Sequence, residues 1–144
     1  MINLEIEQLA YPVLLFQDGY VFLANNPSEF TKWDRRTVDD PAQSEWQSAD
    51  AEGRHVRIRH LQRISPPSRL QGFMARLTSS IFVRPEIELI QQMTLPDFRQ
   101  HIEPMLLEYR MYGNDFGDDE QAFLTELRKT TSFPELFRFV VNAV

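Results

Sequence analysis

At 144 residues, 42% hydrophobic and 25% charged, the chain has the length and composition of one globular domain with a single core. A net charge of −6 argues against a protein that binds nucleic acid over its whole surface, and the absence of cysteine excludes a disulfide framework and any thiolate zinc site. The longest apolar runs, near Tyr11 to Phe16, fall far short of the ~20 residues that span a bilayer, and the acidic start lacks the regions of a signal peptide, so the expected compartment is the cytoplasm.

Ile2, Leu4 and Ile6 alternate with Asn3, Glu5 and Glu7, which predicts a half-exposed strand. Two apolar runs, Tyr11 to Gln17 and Tyr20 to Ala24, flank Asp18-Gly19, the sequence of a two-residue hairpin turn with positive φ at both positions. That turn sets Gln17 opposite Tyr20, Phe16 opposite Val21, Leu15 opposite Phe22 and Leu14 opposite Leu23. Both faces of the hairpin are then apolar. Either other parts of the chain cover both, which is the simpler expectation, or one face is left for a partner.

Asn26-Pro27-Ser28-Glu29 is a capped helix start, with Phe30 and Trp33 on one face and an end expected near Arg36. Thr37 to Ser44, with Asp39-Asp40-Pro41, reads as a loop. A second hairpin is expected around Ala49 to Gly53, pairing Glu45 to Ser48 with Arg54 to Leu61. In its second strand Val56 and Ile58 point one way, while His55, Arg57 and Arg59 point the other. Ser65-Pro66-Pro67-Ser68 breaks the chain. From there Leu70, Phe73, Met74, Leu77 and Ile81 keep helical spacing and predict a helix over 68–81. Pro85 interrupts, and Glu86 to Met93 fits either a short helix or a strand.

Thr94-Leu95-Pro96-Asp97 opens a helix with the stripe Phe98, Ile102, Leu106 and Tyr109, and Pro104 predicts a kink or break within it. Tyr112 to Gly117 reads as a loop. Asp118 begins a helix bearing Phe123, Leu124 and Leu127, and Ser132-Phe133-Pro134-Glu135 begins a last one bearing Leu136, Phe137, Val140 and Val141. The fold class is therefore α+β: an antiparallel sheet of three to five short strands over 1–64, followed by about four helices over 65–144 that pack on it, in a single domain.

Charge divides the chain differently. Gly53 to Pro85 holds seven arginines (Arg54, Arg57, Arg59, Arg63, Arg69, Arg76, Arg84), two of the three histidines and no acid, between flanks carrying −7 and −6. Three readings suit this basic strap. It pairs with the acidic flanks and joins the sheet to the helices, which is the plainest; or it binds an acidic protein surface; or it binds nucleic-acid phosphates with Trp33 or Trp46 as stacking groups. His55, Arg57, Arg59 and Arg63 are the candidate anion- or partner-binding residues, and Phe16 and Trp46 the candidate apolar contacts.

No other chemistry is indicated. His55 and His60 fall on opposite faces of a strand, and His101 and Glu103 do not share a helix face, so no metal site is expected. Asn114 to Glu120 lacks the spacing of a calcium loop. There is no Gly-x-Ser-x-Gly elbow and no phosphate-cradling glycine loop, so no cofactor and no catalytic residue are assigned. The expectation for function is a non-enzymatic protein-binding domain with a basic protein as partner. In size, acidity and lack of cysteine it resembles bacterial antidote (immunity) proteins that mask nucleic-acid-cleaving toxins, an analogy carried by no motif. The alternatives are a nucleic-acid-binding protein using residues 54–63, and an enzyme without local motifs, which requires a concave pocket and a carboxylate or histidine of displaced pKa.

Overall fold

The computed structural model describes residues 2–39 and 45–144, with the backbone only at His60. Of the loop expected over Thr37 to Ser44, Thr37 to Asp39 end a short helix instead, and positions 40–44 lie outside the described residues. Elements in chain order are β1 (Ile2–Leu4), a 3-10 turn (Ile6–Gln8), β2 (Val13–Gln17), β3 (Tyr20–Ala24), α1 (Pro27–Thr31), β4 (Lys32–Asp34), α2 (Arg35–Asp39), β5 (Trp46–Ala49), β6 (Arg54–Arg63), α3 (Arg69–Leu77), β7 (Ser80–Gln92), α4 (Leu95–Glu108), α5 (Gly113–Phe116), α6 (Glu120–Arg128) and α7 (Phe133–Ala143). The class is α+β, as expected, with more strands and more helices than the sequence pattern suggested. Among the described residues no helix is long and apolar enough to cross a membrane.

The strands form one antiparallel sheet in the order β1-β7-β6-β5-β2-β3, with β4 also paired to β7. The β2–β3 register matches the expected one residue for residue. Only Gly19 of the turn pair has positive φ (79°), so this is not the type I′ turn, in which Asp18 would share that conformation. The second hairpin also forms. Its turn is organised by the buried Asp50 carboxylate, which accepts from Ala10 N (3.1 Å), Glu52 N (3.0 Å), Arg54 N (2.9 Å) and Arg54 Nε (2.6 Å).

The largest correction is β7. It occupies 13 residues of the half expected to be helical, of which only Glu86 onward was open to a strand, and Pro85 lies inside it. A strand tolerates proline where no ladder bond needs its N–H. On one side Pro85 falls between the residues paired with β4 (Ser80–Phe82) and those paired with β1 (Ile87–Leu89); on the other it faces the register shift between Arg59 and Gln62 of β6. The expected helix to Ile81 stops at Leu77 because Ile81 pairs with Trp33 in the sheet. For the same reason the helix expected to end near Arg36 is split: α1 ends at Thr31, and β4 carries Trp33 into contact with Trp46 (ring centroids 5.4 Å apart). Pro104 does not break α4, which runs on to Glu108. Burial of Phe98, Ile102 and Leu106 on the opposite stripe outweighs the ~3 kcal/mol cost of an internal proline. The loop expected over 112–117 contains the short α5.

Both sheet faces are covered. α4 to α7 bury Leu14, Phe16 and Ala49 on one face, in a core with Phe98, Phe123, Leu136 and Phe137. On the other, Ile6, Phe30 and Trp33 close over Val13, Leu15, Val56, Ile58 and Ile87. The double-faced hairpin is thus covered from within the chain at β2. At β3 coverage is partial, with Tyr20 and Phe22 exposed.

Candidate functional site

β6 does place His55 and Arg57 on a common face, since they pair with Ala49 and Gln47 of β5, but that face is not a cationic surface. α4 lies over His55, which is only 3% exposed. Its ring stacks on Phe16 (6.0 Å) and lies 4.9 Å from the ring of His101 on α4. Its Nε2 is 2.8 Å from Gln47 Oε1, and His101 Nε2 is 3.4 Å from the same oxygen. Burial, with His101 and Arg57 adding like charge, pushes the His55 pKa down to about 4, so the ring is neutral near pH 7. Its Nδ1 has no hydrogen-bond partner among the described residues.

Beyond the helical cover the arginines meet acids. Arg57 pairs with Glu45 (2.8 Å) and Glu88 (3.9 Å), Arg59 with Glu88 (3.4 Å), Arg63 with Asp39, and Arg84 with Glu5 (2.6 Å). Exposed pairs of this kind are each worth about 0–1 kcal/mol, but they remove the row of free guanidinium groups that phosphate binding along residues 54–63 requires. Phe16 and Trp46, expected at a partner-facing surface, are 4% and 6% exposed and belong to the two cores. The reason is the double cover of the sheet, which an apolar alternation by itself does not report.

Next to His101 a groove of about 290 Å³ runs between the hairpin end and α4, lined by Phe16, Gln47, Met105 and His101 with Asp18 and Glu45. This is the concavity that an enzyme without local motifs needs. Among the described residues its chemistry is limited: the lining holds no hydroxyl or thiol, Glu45 is engaged by Arg57, and the histidine of displaced pKa, His55, is not part of the lining. Among the described residues no group of three or more His, Asp or Glu is arranged to hold a metal ion. Sequence spacing did not reveal the His55–His101 approach, because 46 positions separate a strand residue from a helix residue.

The most exposed apolar surface lies elsewhere. α3 is capped by Ser68, whose Oγ accepts from Gln71 N (3.1 Å). Leu70, Phe73, Met74 and Leu77, one helical stripe, are 70%, 58%, 47% and 66% exposed, and only Ala75 of the helix is buried. Beside the stripe, Arg69 and Arg76 form no ion pair among the described residues. Four large apolar side chains left in water forgo on the order of 5 kcal/mol of burial. Periodicity located the helix and its stripe; the stripe's orientation depends on β6 and β7 forming a hairpin that carries α3 outside both cores. No family model matches the chain, and neither a curated protein nor a solved structure shows significant similarity to it.

Proposed function

We propose that the chain is a protein-binding domain that docks an acidic partner carrying apolar anchors onto α3. The observation that carries this reading is the exposed stripe Leu70, Phe73, Met74 and Leu77 on a helix flanked by Arg69 and Arg76. Contiguous exposed apolar residues with a charged border mark interaction surfaces, and the border sets the sign of the partner. Residues 53–85 contain no acid, so two α3 helices packed symmetrically set arginine against arginine, which disfavours a second copy on this surface. The basic partner suggested by the acidic flanks, and with it the antidote analogy, receives less support, because the exposed apolar stripe of α3 lies in the basic strap. Nucleic acid is disfavoured by the ion pairs of Arg57, Arg59 and Arg63.

A photo-crosslinking residue placed at Phe73 in the native cell, with Gln121 on the exposed side of α6 as control, tests the reading. It should capture an acidic protein in one-to-one ratio from position 73 alone, and Leu70→Asp with Phe73 restored should abolish complex formation without loss of folding. If a folded Leu70→Asp protein keeps the same partner, or if the captured species is lipid or nuclease-sensitive, the proposal fails.

A further inference from the structure

We infer that β3 is a second, separate docking edge: an extended segment of another protein adds to it as a further strand and seats an aromatic side chain beside Tyr20 and Phe22. β3 ends the strand order of the sheet. A two-residue turn makes Gln17 and Tyr20 a hydrogen-bonded pair, so Tyr20, Phe22 and Ala24 direct their backbone groups at β2. Val21 and Leu23 then direct theirs away from the sheet. No other element supplies a hydrogen bond to them among the described residues.

Sheet edges are ordinarily blunted by brevity, charge, proline, a bulge or a cover. At the opposite end of the order, β1 is only three residues long. β3 is Tyr-Val-Phe-Leu-Ala, with neither charge nor proline. Val21 and Leu23 pack against the helical core and hold the strand in place. On the other face Tyr20 and Phe22, 57% and 45% exposed, line a cavity of about 230 Å³ with Trp33 and Trp46, bordered by Lys32 and Asp34.

These features select the occupant. A strand added to β3 places alternate side chains on the face of Tyr20 and Phe22. The cavity is smaller than the roughly 300–1,000 Å³ of small-molecule sites, which suits one side chain. Aromatic walls favour a ring, and one charge of each sign at the border favours a neutral residue with a polar tip, as in Tyr or Trp. A second copy paired through β3 alone is disfavoured by area. Two five-residue strands of about 17 Å make a contact well below the roughly 1,200 Å² of a stable interface, whereas a short peptide needs only the ladder and its anchor.

Selection of a random heptapeptide phage library against the full chain, followed by anisotropy measurements on the selected synthetic peptides, tests this. The expected peptides are uncharged and β-prone around one aromatic residue. N-methylation of one alternate set of peptide amides should weaken binding at least tenfold, and of the complementary set little. Val21→Pro removes an outward amide without touching the bonds to β2 and should cost at least tenfold as well. If that variant fails to fold by circular dichroism, the methylated peptides decide the matter on the unaltered chain. The proposal is overturned if no peptide is selected, or if the selected peptides tolerate methylation of both sets. It is equally overturned if they respond to Leu70→Asp instead of Val21→Pro, or if sedimentation shows β3 already closed in a homodimer. Because α3 takes no part in the expected result, this inference and the proposed function can fail separately.

Discussion

α3 and α7 begin alike and end in opposite surroundings. Each is amphipathic and each is capped by a serine, Ser68 or Ser132, that accepts from the backbone three residues on. α7 buries Leu136, Phe137 and Val140 completely, whereas α3 exposes every large apolar residue of its stripe. Amphipathicity thus marks a helix face that wants to leave water, without saying whether the chain itself or another molecule provides the cover. The deciding difference is placement. α7 follows the sheet and folds back over β2 and β3, while α3 is suspended between two strands that are already paired to each other.

The largest test of this contrast is a matched pair of truncations. Phe137→Ala should cost about 3–5 kcal/mol in urea unfolding, the usual loss for a buried phenylalanine, and Phe73→Ala less than about 0.5 kcal/mol. Similar losses would mean that α3 is packed after all. Gly53 probes the α7 side again. Its φ is 83°, and a Cβ there would lie 2.4 Å from Met93 O and 2.7 Å from Phe133 Cζ at the start of α7. Gly53→Ala should cost about 3 kcal/mol, by strain and clash together; a near-neutral melt would show that α7 is loosely seated.

pH probes the same interior through His55. Its folded pKa of about 4 lies below the ordinary 6.5, so between these values the unfolded chain binds a proton that the folded chain refuses. The contribution is complete above about pH 6.5 and declines as pH falls toward 4, by up to roughly 3 kcal/mol. His55→Gln should flatten that part of the stability profile, and an unchanged slope would remove His55 as its source. At the small end, Arg63→Ala breaks an exposed pair with Asp39 and should change stability by less than about 1 kcal/mol. A larger loss would show the strap to be a structural joint as much as a neutralised surface.

Much of the local structure was legible. Asp18-Gly19 announced a hairpin and its register, and Ser132-Phe133-Pro134-Glu135 announced the start of α7 to the residue. The misses share one cause. β4, β7 and the run of α4 past Pro104 depend on partners distant in the chain, and those partners outweigh local preference. The candidate surface was half legible: Leu70, Phe73, Met74 and Leu77 share a stripe by spacing, but a stripe is ordinarily core, and it is turned outward because no element among the described residues covers it. His55 failed in the reverse direction, since a histidine on a strand with two arginines looks exposed until α4 is laid over it.

By itself the sequence determined the class, the hairpin, the caps at Asn26, Thr94 and Ser132 (the cap of α6 is Asp119, one residue past the expected Asp118) and the uneven distribution of charge, because those follow from interactions within a few residues. Tertiary structure decided which arginines are neutralised, where His55 goes and which apolar face stays in water. Each of these depends on burial and on charges far apart in the chain, and only the packing of the sheet and its covers sets those distances.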